Sequence, residues 1–124
     1  MLSPGATATT ARAFSAADLR AFAGLSGTHA GAHVPEPLIA GLVSYLLGVQ
    51  LPGRGTNYLK QELEFHAAAP LDTEITATVE VTRLRPEKCL VDLWARCALP
   101  DGTELCAGRA LVKAPAGMFP ASGA

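Results

Sequence analysis

Residues 25–48 read LSGTHAGAHVPEPLIAGLVSYLLG, a polar loop of small residues that runs directly into the most hydrophobic helical stretch of the chain. Leu38, Ile39, Leu42, Val43, Leu46 and Leu47 leave that helix little polar surface, so it is expected to be buried nearly all round. Pro35 or Pro37 suits its first turn, where a missing N–H costs nothing. Gly48 and the turn LPGRG at 51–55 close it. N–H groups at a helix start are unsatisfied and carry partial positive charge, so they fit an anion or a polarised carbonyl oxygen. His29 and His33 are the side chains of this stretch that titrate near neutral pH. The loop at the helix start is therefore the expected site.

Working outward, nearly everything downstream reads as strand. Residues 58–67 place Leu59, Leu63 and Phe65 on one side and Lys60, Glu62 and Glu64 on the other. In 74–84, Ile75, Ala77, Val79 and Val81 alternate with Thr76, Thr78, Glu80 and Thr82, the clearest period-two pattern present. Pro86-Glu87-Lys88 makes a turn before a strand at 90–99, Pro100-Asp101-Gly102 signals a hairpin, and 104–113 is the last strand. Upstream, Thr7–Phe14 reads as a short strand. Ser15 with Asp18 opens a helix that buries Leu19, Phe22 and Ala23 and ends at Gly24 or Gly27. The pattern predicts an α+β fold, an antiparallel sheet wrapped around a buried helix. A helix apolar on all sides needs cover on all sides, so at least a dimer is expected. The length of 124 residues fits one domain, residues 1–124, with a core over about 7–115, a loose N-terminus and an aperiodic tail from Pro115.

Composition narrows the function classes. Apolar residues make up 49% and charged residues 17%, a globular balance, and the net charge of -1 with scattered Arg and Lys gives no nucleic-acid surface. The run Leu38–Val49 is too short to span a membrane, and the N-terminus lacks the order of a secretory signal, so a cytoplasmic protein is expected. Cys89, Cys97 and Cys106 lack metal-ligand spacing and sit inside strand patterns, which predicts reduced thiols, no metal site and no cofactor.

The order of strand, short helix, LSG loop, buried helix, then GxGTxYLxQxLxF at 53–65 and three long strands resembles the MaoC-like hydratases, which include the (R)-specific enoyl-CoA hydratases and share the hot-dog fold. Gly55-Thr56, Tyr58-Leu59 and Gln61 are the most specific local markers. The resemblance implies a long central helix wrapped by an antiparallel sheet. It implies dimers, homodimers or heterodimers with another hot-dog protein, whose sheets join edge to edge. It also implies acyl thioester substrates carried on coenzyme A or acyl carrier protein.

The active-site motif departs from the family's LSGD-x-N-P-x-H. Thr28 stands where the Asp is expected, Ala30 and Gly31 replace Asn-Pro, His33 falls at the His position, and His29 is additional. The family's overhanging segment between that His and the central helix is almost entirely missing. Residues 33–43 also resemble the H-F-P-G-x-P-x-M-P-G-V-L stretch of β-hydroxyacyl-carrier-protein dehydratases, whose His pairs with a helix Glu; here Leu46 lies near that position. Gly41 either matches the hydratases' His-Gly pair at the helix start or lies one turn in.

Reversible hydration of an enoyl thioester needs a base, an acid and donors for an enolate-like oxygen. His33 is the candidate acid/base, with Thr28 and His29 beside it in sequence. Backbone N–H groups from Glu36 to Gly41 are the candidate oxyanion donors, and Ser44 aligns with a helix serine near the hydratases' reacting groups. The expected function is thus an enoyl-thioester hydratase/3-hydroxyacyl-thioester dehydratase. The alternatives are a non-catalytic hot-dog subunit paired with a catalytic one, or a thioesterase or double-bond isomerase on the same fold.

Overall fold

The computed structural model describes residues 1–120. Strand β1 (Thr7–Arg12) leads to helix α1 (Ala16–Ser26), which starts and stops where its end residues dictate. The Asp18 N–H donates to the Ser15 hydroxyl at 3.2 Å and the Ser15 N–H donates to the Asp18 carboxylate at 2.9 Å, a reciprocal cap. Those bonds, the backbone one first, hold the Asp18 carboxyl below its ordinary value. Gly27 ends the helix at φ +78°, a left-handed conformation that glycine adopts without a Cβ penalty.

Helix α2 (Glu36–Tyr45) continues as one π turn over Leu46–Gln50, where the Leu51 N–H reaches the Leu46 carbonyl at 2.8 Å and Pro52 stops further winding. Ile39, Val43, Leu46 and Leu47 are almost wholly buried against the sheet. Each such side chain contributes about 1.5–3 kcal/mol through burial. The expectation of burial all round fails on one side. Gly41, Ser44, Tyr45 and Gly48 are exposed, because the sheet covers a single face of the helix and a small-residue stripe is left outward.

The remaining strands are β2 (Asn57–Gln61), β3 (Glu64–Phe65), β4 (Ile75–Arg85), β5 (Leu90–Ala98) and β6 (Glu104–Lys113), all pairing antiparallel in the order β1-β4-β5-β6-β2, with β3 also on β6. Val79 and Val81 of β4, Val91 and Leu93 of β5, and Ala110 and Val112 of β6 form the sheet's side of the core. The continuous strand expected over 58–67 is in fact two. The register shifts between Tyr58 and Lys60, and the chain then crosses so close to Gly108 that a Cβ there would sit 1.7 Å from the Glu62 carbonyl oxygen. Leu59 consequently turns outward, 54% exposed.

The termini are less loose than expected. Leu2 and Phe119 are both buried, and the Leu2 N–H donates to the Met118 carbonyl at 2.7 Å, so the two ends of the chain close the core together. Of the tail from Pro115, Ala116–Met118 form a 3₁₀ turn, and residues 121–124 lie outside the described residues. Among the described residues no helix is long and apolar enough to cross a membrane.

On the sheet face away from α2, Asp92 is 97% removed from solvent, and Arg85 and Arg109 bracket it. Arg85 donates three hydrogen bonds of 2.8–3.1 Å to its two oxygens, and Arg109 donates to Oδ1 through Nε at 3.0 Å and through Nη2. Burial by itself would raise this carboxyl. The two guanidinium groups outweigh it and hold it below the ordinary carboxylate range.

Candidate active site

Beyond the Gly27 cap, residues 28–32 are exposed and form no regular structure. The chain is pinned again at His33, which makes an isolated antiparallel bridge with Pro70, and at Val34, whose N–H donates to the Ala69 carbonyl at 2.9 Å. Burial of the Val34 side chain anchors this point. Pro35 then serves as N-cap of α2 with no side-chain capping bond, and Pro37 occupies the first turn.

This path places His33 on a concavity of about 330 Å³ walled by Glu36, Ile39, Phe65, Ala67 and Ala69. His33 is exposed, and Ile39 and Phe65 are the large apolar side chains of the wall. An ionisable side chain beside an apolar wall can exchange protons with a bound substrate while the wall holds an acyl chain. Among the described residues lining this space, His33 and Glu36 are the two that titrate.

The other sequence candidates fall elsewhere. The Thr28 hydroxyl is 2.8 Å from that of Ser26 and does not line the cavity. His29 is exposed in the unpinned part of the loop, and Ser44 is exposed on the outward stripe of α2. Gly41 lies more than a turn inside the helix, so its N–H belongs to the helix ladder and cannot serve as an oxyanion donor. The Leu38 and Ile39 N–H groups both turn back to the Pro35 carbonyl, and Pro37 has no N–H. Among the described residues this leaves the Glu36 N–H as the donor at the helix start without a backbone partner. The expected range of donors, Glu36 to Gly41, thus contracts to its first residue.

Gly41 instead borders a second concavity of about 400 Å³ between β1 and α2, with Arg12, Phe14, Leu38, Leu42 and Tyr45. The Arg12 guanidinium lies 4.7 Å from the centroid of the Phe14 ring and 3.3 Å from the Asp18 carboxylate. The sequence does not signal this second space, because β1 and α2 are far apart in the chain and come together only in the fold. Nor does it signal Phe65 as a cavity wall: the strand pattern puts Phe65 on an apolar face, and the fold sets it beside Ile39. Among the described residues no group of His, Cys, Asp or Glu has the geometry of a metal site.

No protein-family model matches the sequence. Among characterised proteins, the chain is 36% identical to the (R)-specific enoyl-CoA hydratase of Aeromonas caviae over 129 positions, covering 92% of this chain and 96% of that one. It is 32% identical to the 3-hydroxybutyryl-CoA dehydratase of Methylorubrum extorquens, covering 92% of this chain and 82% of the relative. Among solved structures, an (R)-hydratase from A. caviae involved in PHA biosynthesis superimposes with a TM-score of 0.87 at 37% identity, over 92% of this chain and 98% of that one.

Proposed function

The chain belongs to the family of (R)-specific enoyl-CoA hydratases and has its hot-dog fold, and from that premise we propose that it interconverts enoyl and 3-hydroxyacyl thioesters of coenzyme A with His33 as the central acid/base group. The single observation that carries the residue assignment is the placing of His33 on an apolar-walled cavity beside the start of α2. In this reading the acyl chain lies against Ile39 and Phe65, and the thioester oxygen accepts a hydrogen bond from the Glu36 N–H as it gains enolate character. His33 exchanges a proton with the α-carbon.

The match to the A. caviae enzyme extends over 129 positions yet takes in 92% of a chain of 124, so about fifteen positions of that enzyme have no counterpart here. The reading therefore assigns catalysis to a site with a shortened loop. The exposed stripe of Gly41, Ser44 and Tyr45 on α2 supports a second hot-dog subunit, a copy of this chain or a relative, lying against that side.

The test is loss of enoyl-thioester absorbance when the purified protein meets crotonyl-CoA and longer enoyl-CoAs. Turnover is expected, and His33→Ala should reduce it by ~10²–10⁴-fold, the usual contribution of a positioned acid/base. His29→Ala should leave it near the wild-type rate. Absence of turnover by the wild type alone, with turnover appearing only when it is mixed with a second hot-dog protein from the same source, would favour a silent subunit instead.

A further inference from the structure

The shortened site lacks an aspartate beside its histidine, and the fold brings a different carboxylate to the same cavity. We propose that the Glu36 side chain is the catalytic partner of His33, acting on the water or hydroxyl at the β-carbon while His33 acts at the α-carbon. The inference rests on the hydratase reading and adds the residue that completes its acid/base pair.

Three observations carry it. Thr28, at the expected carboxylate position, has its hydroxyl turned to Ser26 at 2.8 Å and is absent from the cavity wall; a threonine could not serve as a carboxylate base in any case. Glu36 lines the cavity together with His33, and no other carboxylate does so among the described residues. His66 is the histidine that pairs directly with a carboxylate, that of Glu104 at 3.4 Å. His33 and Glu36 make no such pair among the described residues, which leaves both side chains free to face a substrate in the cavity they line. The site also explains how they converge. The bridge from His33 to Pro70 and the bond from Val34 to Ala69 pin the backbone of residues 33 and 34 just before the first turn of α2, where Glu36 is the first helical residue.

The step balances with these two groups alone. The Glu36 carboxylate takes a proton from water as the water oxygen bonds to the β-carbon. The π pair of the double bond moves toward the thioester, whose oxygen is held by the Glu36 N–H, and the imidazolium of His33 delivers a proton to the α-carbon. A water O–H, an imidazolium N–H and the C=C π bond break; a C–O, a C–H and the Glu36 carboxyl O–H form. The proton left on Glu36 returns to His33 through solvent, and dehydration is the reverse.

Because each group has its own bond to make, two assays separate them. The first is hydration of crotonyl-CoA. The second is exchange of the α-hydrogens of butyryl-CoA, a saturated thioester, in deuterated water, which needs His33 and the oxyanion donor but no β-carbon chemistry. Glu36→Gln is expected to lower kcat for hydration by ~10²-fold or more with little change in KM. Its exchange rate should stay close to that of the wild type. Glu36→Asp should regain part of the hydration rate, and His33→Ala should lose both reactions. Thermal melts of each variant report folding, and should Glu36→Gln unfold, Glu36→Asp carries the comparison. Hydration at the wild-type rate by Glu36→Gln would overturn the proposal while leaving the role of His33 intact. So would loss of exchange together with hydration in that variant. A wild type that hydrates no enoyl-CoA would overturn the hydratase reading and this role along with it.

Discussion

Replacing Asp92 by Asn tests whether the buried carboxylate on the outer sheet face holds the three long strands together. The side chain keeps its shape, loses its charge, and turns one acceptor oxygen into an NH₂ that faces guanidinium N–H groups. In the folded protein Oδ1 and Oδ2 together accept five hydrogen bonds from Arg85 and Arg109. Asn retains one acceptor oxygen, so at least two of the five hydrogen bonds are lost, the others lose their charge assistance, and a donor faces donors. That loss is worth about 2–3 kcal/mol for a carboxylate so little exposed. With an unfolding entropy of about 2.1 cal/mol/K per residue, a chain of 124 residues should melt about 8–12 °C lower. Calorimetry or denaturant unfolding at neutral pH measures this directly.

The acid limb gives a second check on the same residue. The Asp92 carboxyl titrates below its unfolded value, so its contribution is complete above the unfolded pKa and disappears as pH falls through the folded one. The gap between wild type and Asp92→Asn should therefore be constant from neutral pH down to about pH 4, then close in stronger acid. A gap below about 0.5 kcal/mol at neutral pH, the size of an ordinary surface substitution, would refute the reasoning. A gap that persisted unchanged in strong acid would do the same.

Two further outcomes follow from the packing. Gly108→Ala should lower the stability measured by denaturant unfolding by at least the ~1–3 kcal/mol usual for overpacking, because its Cβ would meet backbone atoms of Glu62 and Leu63 at 1.7–2.9 Å and neither can swing away as a side chain would; an unchanged stability would contradict the close passage of the chain between β2 and β3 over Gly108. Cys97 and Cys106 face one another across β5 and β6 with no exposed surface, and the Cys106 thiol together with burial pushes the Cys97 thiol up, so a thiol reagent should modify only the partly exposed Cys89 in the native protein and all three after unfolding.

Much of the fold was readable before any coordinates because local signals and tertiary demand coincided. Ser15, Asp18 and Gly27 bound α1 by hydrogen bonds within their own neighbourhood, and β4 alternates from Ile75 to Val81 because one face is core there. Where the reading failed, the deciding contact was distant in sequence. The strand over 58–67 breaks because it passes Gly108, and no pattern within that strand announces the crossing. Asp92 lies opposite the apolar face of Val91, Leu93, Ala95 and Cys97, where the pattern reads as solvent-facing, and only the register of β5 with its neighbours brings Arg85 and Arg109 to it. The site was legible in part for the same reason. His33 and the helix start are adjacent in the chain, so their association needed no tertiary knowledge. That Glu36 and not Thr28 shares the cavity depends on the His33–Pro70 bridge, which joins segments 37 residues apart.

That bridge also makes the length of the loop before it a free variable in evolution and engineering. One end of residues 28–32 is tied off by the Gly27 cap and the other by His33 and Val34, so neither anchor depends on what lies between them. Lengthening an exposed loop held in this way costs only closure entropy, about 0.6 kcal/mol for each doubling. A lineage, or a designer, could lengthen or trim residues 28–32 without disturbing the helix, the sheet or the histidine, changing what approaches the cavity while the scaffold folds as before.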